Sequence, residues 1–131
     1  MNNLHLSITS FSYKKGIPTD ISGNGGGFVF DCRALPNPGK LEEYKKLTGK
    51  DLPVIEYLDK MPEVDEFLAG VYAMVAKSVQ TYIARGFTHL MVNFGCTGGQ
   101  HRSVYCAEHL NTYIKNHFEI TTSLKHVEQD K

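Results

Sequence analysis

The stretch HLMVNFGCTGGQHRS, from His89 to Ser103, decides the fold. Its first six residues are mostly apolar and predict a buried strand. A glycine-rich turn follows directly. Beyond the turn, apolar residues such as Cys106, Leu110 and Ile114 recur at helical spacing and predict an amphipathic helix from about Gly99 to His117. A strand that passes through a tight turn into a helix is a building unit of parallel sheets, so this stretch indicates an α/β protein.

Hydrophobic spacing predicts the other strands. Leu4, Leu6 and Ile8 alternate with polar residues, which is typical of a strand with one buried face. Phe28–Arg33 is short, aromatic and β-branched and predicts a second, mostly buried strand. A last strand is expected near Glu119–Leu124.

The long helix of the chain is predicted between Pro62 and Gly86. Acidic residues follow Pro62, apolar residues recur every three or four positions, and Gly86 is placed to end the helix. A shorter helix is predicted over Leu41–Leu47. The elements together predict one domain over residues 1–131, an α/β sandwich with a mostly parallel sheet of about four strands flanked by helices.

Composition limits the classes of function. The 131 residues are 41% apolar and carry 14 basic and 14 acidic side chains, so no net charge draws the protein to nucleic acid or to a membrane. Three cysteines without disulfide-scaffold spacing favour a reducing compartment, and we expect the cytoplasm. No signal-peptide pattern and no run of roughly 20 apolar residues occurs, so no membrane association is expected.

The glycine-rich turn predicts an anion site. Backbone amides at the start of a helix carry partial positive charge, and glycines such as Gly98 and Gly99 allow a ligand to approach the backbone closely. Arg102 can bind two oxygens of a phosphate, and the hydroxyls of Thr97 and Ser103 can donate to the others. We therefore expect a phosphate group at this turn.

Four blocks of sequence resemble the C-terminal domain of the RapZ family. They are SFSYKKGIP at 10–18, FVFDCRALPNP at 28–38, LTGKDLPV at 47–54 and GCTGGQHRSV at 95–104. Members of that family are often named nucleotide-binding proteins because their N-terminal half carries a Walker motif. No GxxxxGK[ST] occurs in this chain, so the ATP or GTP binding of that half is not expected here.

The resemblance implies a non-enzymatic sensor and adaptor. It implies a fold similar to a sugar-phosphate-binding subdomain of phosphofructokinase, and glucosamine-6-phosphate as the ligand. It also implies contacts with small regulatory RNA and an endoribonuclease, and assembly into a homo-oligomer. The ligand-binding positions that it implies are Lys14, Asp31, Arg33, Asn37, Cys96, Thr97, Gly98, Gly99, Gln100, His101, Arg102 and Ser103.

A cysteine-dependent phosphatase is the alternative. The pattern CxxGxxRS begins at Cys96, which would be the nucleophile, while Arg102 would hold the phosphate oxygens and Asp31 is the candidate general acid. A histidine commonly precedes the cysteine in such enzymes, and Gly95 stands there instead. Neither CxxC nor HxxxH spacing occurs near the turn, so no metal and no cofactor are expected.

Overall fold

In this computed structural model, which describes residues 2–130, four strands form one parallel sheet. The strands are β1 (His5–Ser12), β2 (Gly27–Asp31), β3 (His89–Cys96) and β4 (Thr121–His126), in the spatial order β2-β3-β1-β4. All three neighbouring pairs run parallel. The predicted α/β fold with its four-stranded sheet is confirmed.

Three helices accompany the sheet: α1 (Leu52–Asp59), α2 (Pro62–Ala84) and α3 (Arg102–His117). Helix α1 is not among the elements predicted from the sequence. The helix predicted over Leu41–Leu47 is wrong, because that segment forms only a 3₁₀ turn at Glu42–Tyr44, which follows another 3₁₀ turn at Pro38–Lys40. In residues 2–130 no helix has both the length and the apolar character that crossing a membrane requires.

Helix α2 begins and ends as its sequence indicates. Pro62 occupies its first turn, and Glu63 and Asp65 place negative charge near the positive end of the helix dipole. At the other end the amide of Phe87 donates to the carbonyl of Tyr82 at 2.9 Å, and Gly86 has a positive φ of 72°. This bond and conformation are those of a Schellman motif, which only glycine forms without steric cost.

The core lies between one face of the sheet and the helices. Alternate residues of β1 and β3, including Leu6, Ile8 and Val92, are fully buried with Val75 of α2 and Leu110 of α3. Because the strands are parallel and in register, their carboxyl ends meet at one edge. Parallel α/β sheets bind ligands at this edge.

Candidate functional site

The turn between β3 and α3 is shaped by contact with β1. Gly99 has a positive φ of 67°, and a Cβ there would lie 2.8 Å from the amide nitrogen of Ser12. Gly99 is therefore required for packing against β1 rather than for approach of a ligand. Gly98, in contrast, has open space where a Cβ would be, so Gly98 is the glycine that leaves room for a ligand.

The backbone amides of this turn have no acceptor among the residues that the structure describes. From Thr97 to Ser103, no amide donates a hydrogen bond to another residue in the range 2–130. The last of these amides begin α3, a helix of 16 residues. First-turn amides have no acceptor inside their own helix, and the helix dipole adds to their positive potential. The turn therefore offers donors to an anion.

Arg102 is buried in the wall of the site. Its side chain is 5% exposed, and its Nη1 donates to the carbonyl oxygens of Arg33 at 2.7 Å and Leu35 at 3.1 Å. Its Nε is buried and has no hydrogen-bond partner among residues 2–130. Because an unpaired buried donor on a cation is costly, this nitrogen is a strong candidate for contact with a ligand.

Two cavities adjoin Arg102 and form one cleft. The smaller, of about 200 Å³, lies over the turn and is lined by Asn37, Gly39, Cys96, Thr97, Gly98, Gln100, His101 and Arg102. The larger, of about 520 Å³, extends towards β2 and α2 and is lined by Arg33, Ala34, Leu35, Pro36, Asn37, Lys40, Glu63, Thr97 and Arg102. Since Asn37, Thr97 and Arg102 line both, a single ligand can occupy the two parts.

Asp31 and Arg33, at and just beyond the end of β2, bind each other. The guanidinium of Arg33 donates from Nε and Nη2 to the two carboxylate oxygens of Asp31, at 2.9 and 2.8 Å. It also lies 3.8 Å above the centre of the Tyr13 ring. These hydrogen bonds hold the pKa of Asp31 below its usual value and raise that of Arg33. Arg33 lines the larger cavity, whereas Asp31 lines neither.

Lys14 lies beyond the cleft. It follows β1 on an exposed turn, its amide donates to Ser12 Oγ at 3.2 Å, and its side chain lines neither cavity. Of the predicted ligand-binding residues, the structure thus gathers Arg33, Asn37 and most of the turn, and leaves Lys14 and Asp31 at the periphery.

Gln100 and His101 connect the turn to the segment before α1. The Nε2 of Gln100 donates to the carbonyls of Lys45 and Leu47, each at 2.7 Å, which occupies both amide hydrogens. The Nε2 of His101 donates to the carbonyl of Tyr44 at 2.8 Å. In the neutral ring this leaves Nδ1 as an acceptor on the side of Gly39, where the smaller cavity lies.

Cys96 and Ser103 are bonded to each other. The Cys96 thiol is 2% exposed and donates to Ser103 Oγ at 3.1 Å, and Ser103 is fully buried. The residue before Cys96 must be glycine, because a Cβ on Gly95 would lie 2.5 Å from the rings of Phe11 and Tyr13. The buried Ser103 hydroxyl is bonded to the Cys96 thiol. Of the two predicted hydroxyl donors, only that of Thr97 is exposed and accessible to a ligand.

Two charged residues of the cleft, Lys40 and Glu63, are not identified by any pattern in the sequence. Lys40 follows Pro38 in a 3₁₀ turn, and Glu63 was interpreted only as a favourable charge at the start of α2. Both come from segments distant in sequence from the turn. Their position depends on how the helices pack on the sheet, which local patterns do not record.

Comparison with known proteins gives concordant matches. The profile of the family described as RapZ C-terminal domain matches residues 4–130. A nucleotide-binding protein of Ralstonia nicotianae is 43% identical over 116 residues, which are 88% of this chain and 38% of that protein. One from Lactiplantibacillus plantarum is 35% identical over 127 residues, covering 97% of this chain and 42% of that protein. The chain thus spans about two fifths of the length of these relatives.

Proposed function

The chain belongs to the RapZ C-terminal domain family, and we propose that it binds a phosphorylated small molecule in the cleft beside Arg102. The observation that carries this proposal is the unpaired, buried Nε of Arg102 next to a turn whose amides have no acceptor in residues 2–130. Cationic and amide donors of this kind bind phosphate through charge-assisted hydrogen bonds.

The size of the cleft favours a sugar phosphate over inorganic phosphate as the natural ligand. The smaller cavity, about 200 Å³, suits a phosphate group, and the adjoining 520 Å³ leaves room for a polar body. Asn37 lies between the two parts and can bond a hydroxyl of a sugar. We propose an amino-sugar phosphate such as glucosamine-6-phosphate, as the family resemblance implies.

Calorimetry on a cleft variant tests this proposal. Gly98→Asp places a carboxylate where the structure has open space, so binding of glucosamine-6-phosphate should fall by more than tenfold while the fold is retained. Gly70→Asp is the matched control, because Gly70 also has open space around it but lies on α2 away from the cleft. Equal binding by both variants would place the ligand elsewhere.

The proposed role is that of a binding adaptor. The phosphatase alternative is disfavoured by the position of Asp31, because both of its carboxylate oxygens are bonded to Arg33 and it lines neither cavity, so it is not placed to protonate a leaving group. It is also disfavoured by the burial of the Cys96 thiol against Ser103. We place this role in the cytoplasm. Binding of the ligand there alters the surface that the domain offers to its partners.

We propose small regulatory RNA, presented to an endoribonuclease, as the macromolecular partner. Supporting this, exposed lysines lie in the two segments that follow β1 and β2 at the cleft edge, namely Lys14, Lys15, Lys40, Lys45, Lys46 and Lys50. Cations placed in this way neutralise phosphates of a nucleic acid backbone.

Filter binding across a salt series tests the RNA proposal. The logarithm of the association constant should fall linearly with the logarithm of the salt concentration. The slope should be roughly −0.7 for each phosphate of a single strand that the protein neutralises. The double change Lys45→Gln, Lys46→Gln should flatten the slope, whereas Lys77→Gln on α2 should not. A response that is flat for the unmodified protein argues against backbone contacts.

A further inference from the structure

We infer that the buried His126 is a positioning residue for the anion-binding turn, on which it acts through the chain that follows β4; this rests on the proposed function. Residues 127–130 form a C-terminal segment that lies against the turn at Gly99. His126, the last residue of β4, is 3% exposed and anchors this segment. His126 and the segment line neither part of the cleft, so their effect on a ligand passes through the backbone of the turn.

Two neighbouring elements hold the ring of His126. Its Nε2 donates to a carboxylate oxygen of Glu108 on α3 at 2.6 Å, and its Nδ1 accepts from the hydroxyl of Ser10 on β1 at 2.7 Å. The same order of groups occurs in the catalytic triads of hydrolases, but Ser10 is fully buried and cannot meet a substrate. The two bonds therefore fix the orientation of the His126 side chain between β4, β1 and α3.

The backbone of His126 closes the C-terminal segment into a turn. Its amide donates to Oδ2 of Asp130 at 2.8 Å, and its carbonyl accepts from the amides of Gln129 at 3.0 Å and Asp130 at 2.7 Å. The amide of Val127 donates to the carbonyl of Ser10 at 2.9 Å, which continues the pairing of β4 with β1. The position of the segment therefore depends on the position of His126.

Gly99 is confined between β1 and the C-terminal segment. A Cβ on Gly99 would lie 2.8 Å from Cγ of Glu128, as close as it would lie to the amide nitrogen of Ser12. In addition, Nε2 of Gln129 donates to the carbonyl oxygen of Gly99 at 3.5 Å, a long hydrogen bond. The backbone at Gly99 is therefore held by contacts from both neighbours.

The direction of one free amide follows from these contacts. The peptide bond between Gly99 and Gln100 is planar and trans, so its carbonyl and N–H groups point in opposite directions. Because the Gly99 carbonyl faces Gln129, the N–H of Gln100 faces away from the C-terminal segment, and Gln100 lines the smaller part of the cleft. An amide that is oriented before the ligand arrives binds it without the cost of ordering. His126 thus contributes to phosphate affinity without touching the ligand.

NMR titration of the ¹⁵N-labelled protein with inorganic phosphate tests this inference. His126→Ala releases the C-terminal segment, so phosphate should bind roughly three- to tenfold more weakly, and the Gln100 amide signal should shift in the ligand-free protein. Val79→Ala is the control for lost stability, because Val79 is a buried residue of α2 outside the cleft. Both variants should lower Tm, but Val79→Ala should keep its affinity within about twofold of the unmodified protein.

Variants of less buried residues give the same test without a cavity in the core. Glu108→Ala removes the acceptor of His126 Nε2 and should weaken phosphate binding. Glu108→Gln keeps an oxygen as acceptor and should restore affinity to within about twofold of the unmodified protein. Gln129→Ala removes the bond to Gly99 and should shift the Gln100 signal in the same direction as His126→Ala.

The outcomes separate this inference from the proposed function. Unchanged phosphate affinity or an unchanged Gln100 signal in His126→Ala would overturn the role of His126, as would an equal loss of affinity in Val79→Ala. Equal affinities of Glu108→Ala and Glu108→Gln would overturn it too, because the bond to His126 would then be irrelevant. Failure of the unmodified protein to bind phosphate overturns the proposed function instead. The Gln100 signals of the ligand-free variants then still show whether His126 positions the turn.

Discussion

The guanidinium of Arg102 donates from Nη1 to the carbonyl oxygen of Leu35 at 3.1 Å and to that of Arg33 at 2.7 Å. A side chain at the start of α3 thereby fixes the backbone that follows β2. The same guanidinium keeps its Nε unpaired within residues 2–130. The Nη1 of Arg102 thus has a structural role, and its Nε is free to bind a ligand. Each role leads to a separate prediction.

The structural role of Arg102 predicts a loss of stability in Arg102→Ala. Two backbone carbonyls lose a charged donor, so the free energy of unfolding should fall by about 1.5–3 kcal/mol in urea denaturation. Arg85→Ala is the control, because Arg85 is exposed and its change should stay within about 0.5 kcal/mol. Equal stability of the two variants would show that the bonds to Arg33 and Leu35 contribute nothing.

The two adjacent glycines of the turn should respond differently to alanine. Gly99→Ala forces a side chain into a positive φ and against Ser12, so we expect a loss of about 1–3 kcal/mol and a lower Tm. Gly98→Ala adds a methyl group in open space and should change stability by less than about 0.5 kcal/mol. The reverse order of Tm values would contradict the packing of the turn on β1.

The pair between Asp31 and Arg33 predicts a pH dependence. The folded pKa of Asp31 lies below its usual value, so the contribution of this pair to stability is complete above that value. It is lost as pH falls through the lowered pKa. NMR titration of the Asp31 carboxyl should show the low midpoint, and Arg33→Met should raise it towards 3.8, the usual value. Arg85→Met should leave it unchanged; an identical midpoint in Arg33→Met would mean the pair is not formed in solution.

The phosphatase alternative makes its own prediction. With Asp31 bonded to Arg33 outside the cleft and Cys96 buried, the protein should not hydrolyse para-nitrophenyl phosphate above the rate of buffer alone. Cys96→Ser should keep the fold, because a hydroxyl can replace the thiol in the bond to Ser103. Turnover by the unmodified protein that disappears in Cys96→Ser would support an enzyme instead.

Much of the fold was predictable because β1, β3 and the long helix bury regular apolar patterns. The expectation that the second strand is mostly buried was wrong, because β2 lies at the edge of the sheet and none of its residues is fully buried. Helix α1 was not, since it is two turns long and buries only Val54 and Leu58, too few residues to show a period. The start of α3 was predicted about three residues early. Gly99, held in a positive φ against Ser12, keeps the chain from becoming helical before Arg102.

Only the part of the candidate site that lies in one continuous segment, the turn and Arg102, was predictable from the sequence. The sequence identified the turn and Arg102, because a glycine-rich junction between strand and helix has a known geometry. It could not show that backbone carbonyls of Arg33 and Leu35 hold Arg102, or that Glu63 reaches the cleft. These contacts join segments that are distant in sequence. Every residue type carries a backbone carbonyl, so the sequence does not reveal which carbonyls accept a hydrogen bond.

Phosphate binding at the turn, the central claim, is tested most directly by NMR with ¹⁵N-labelled protein. Inorganic phosphate is added stepwise while the amide signals are followed. The amides from Gly98 to Ser103 should shift progressively to saturation, and Gly70 should not move. Unchanged signals throughout the turn at saturating phosphate, or shifts confined to other parts of the chain, would contradict the claim.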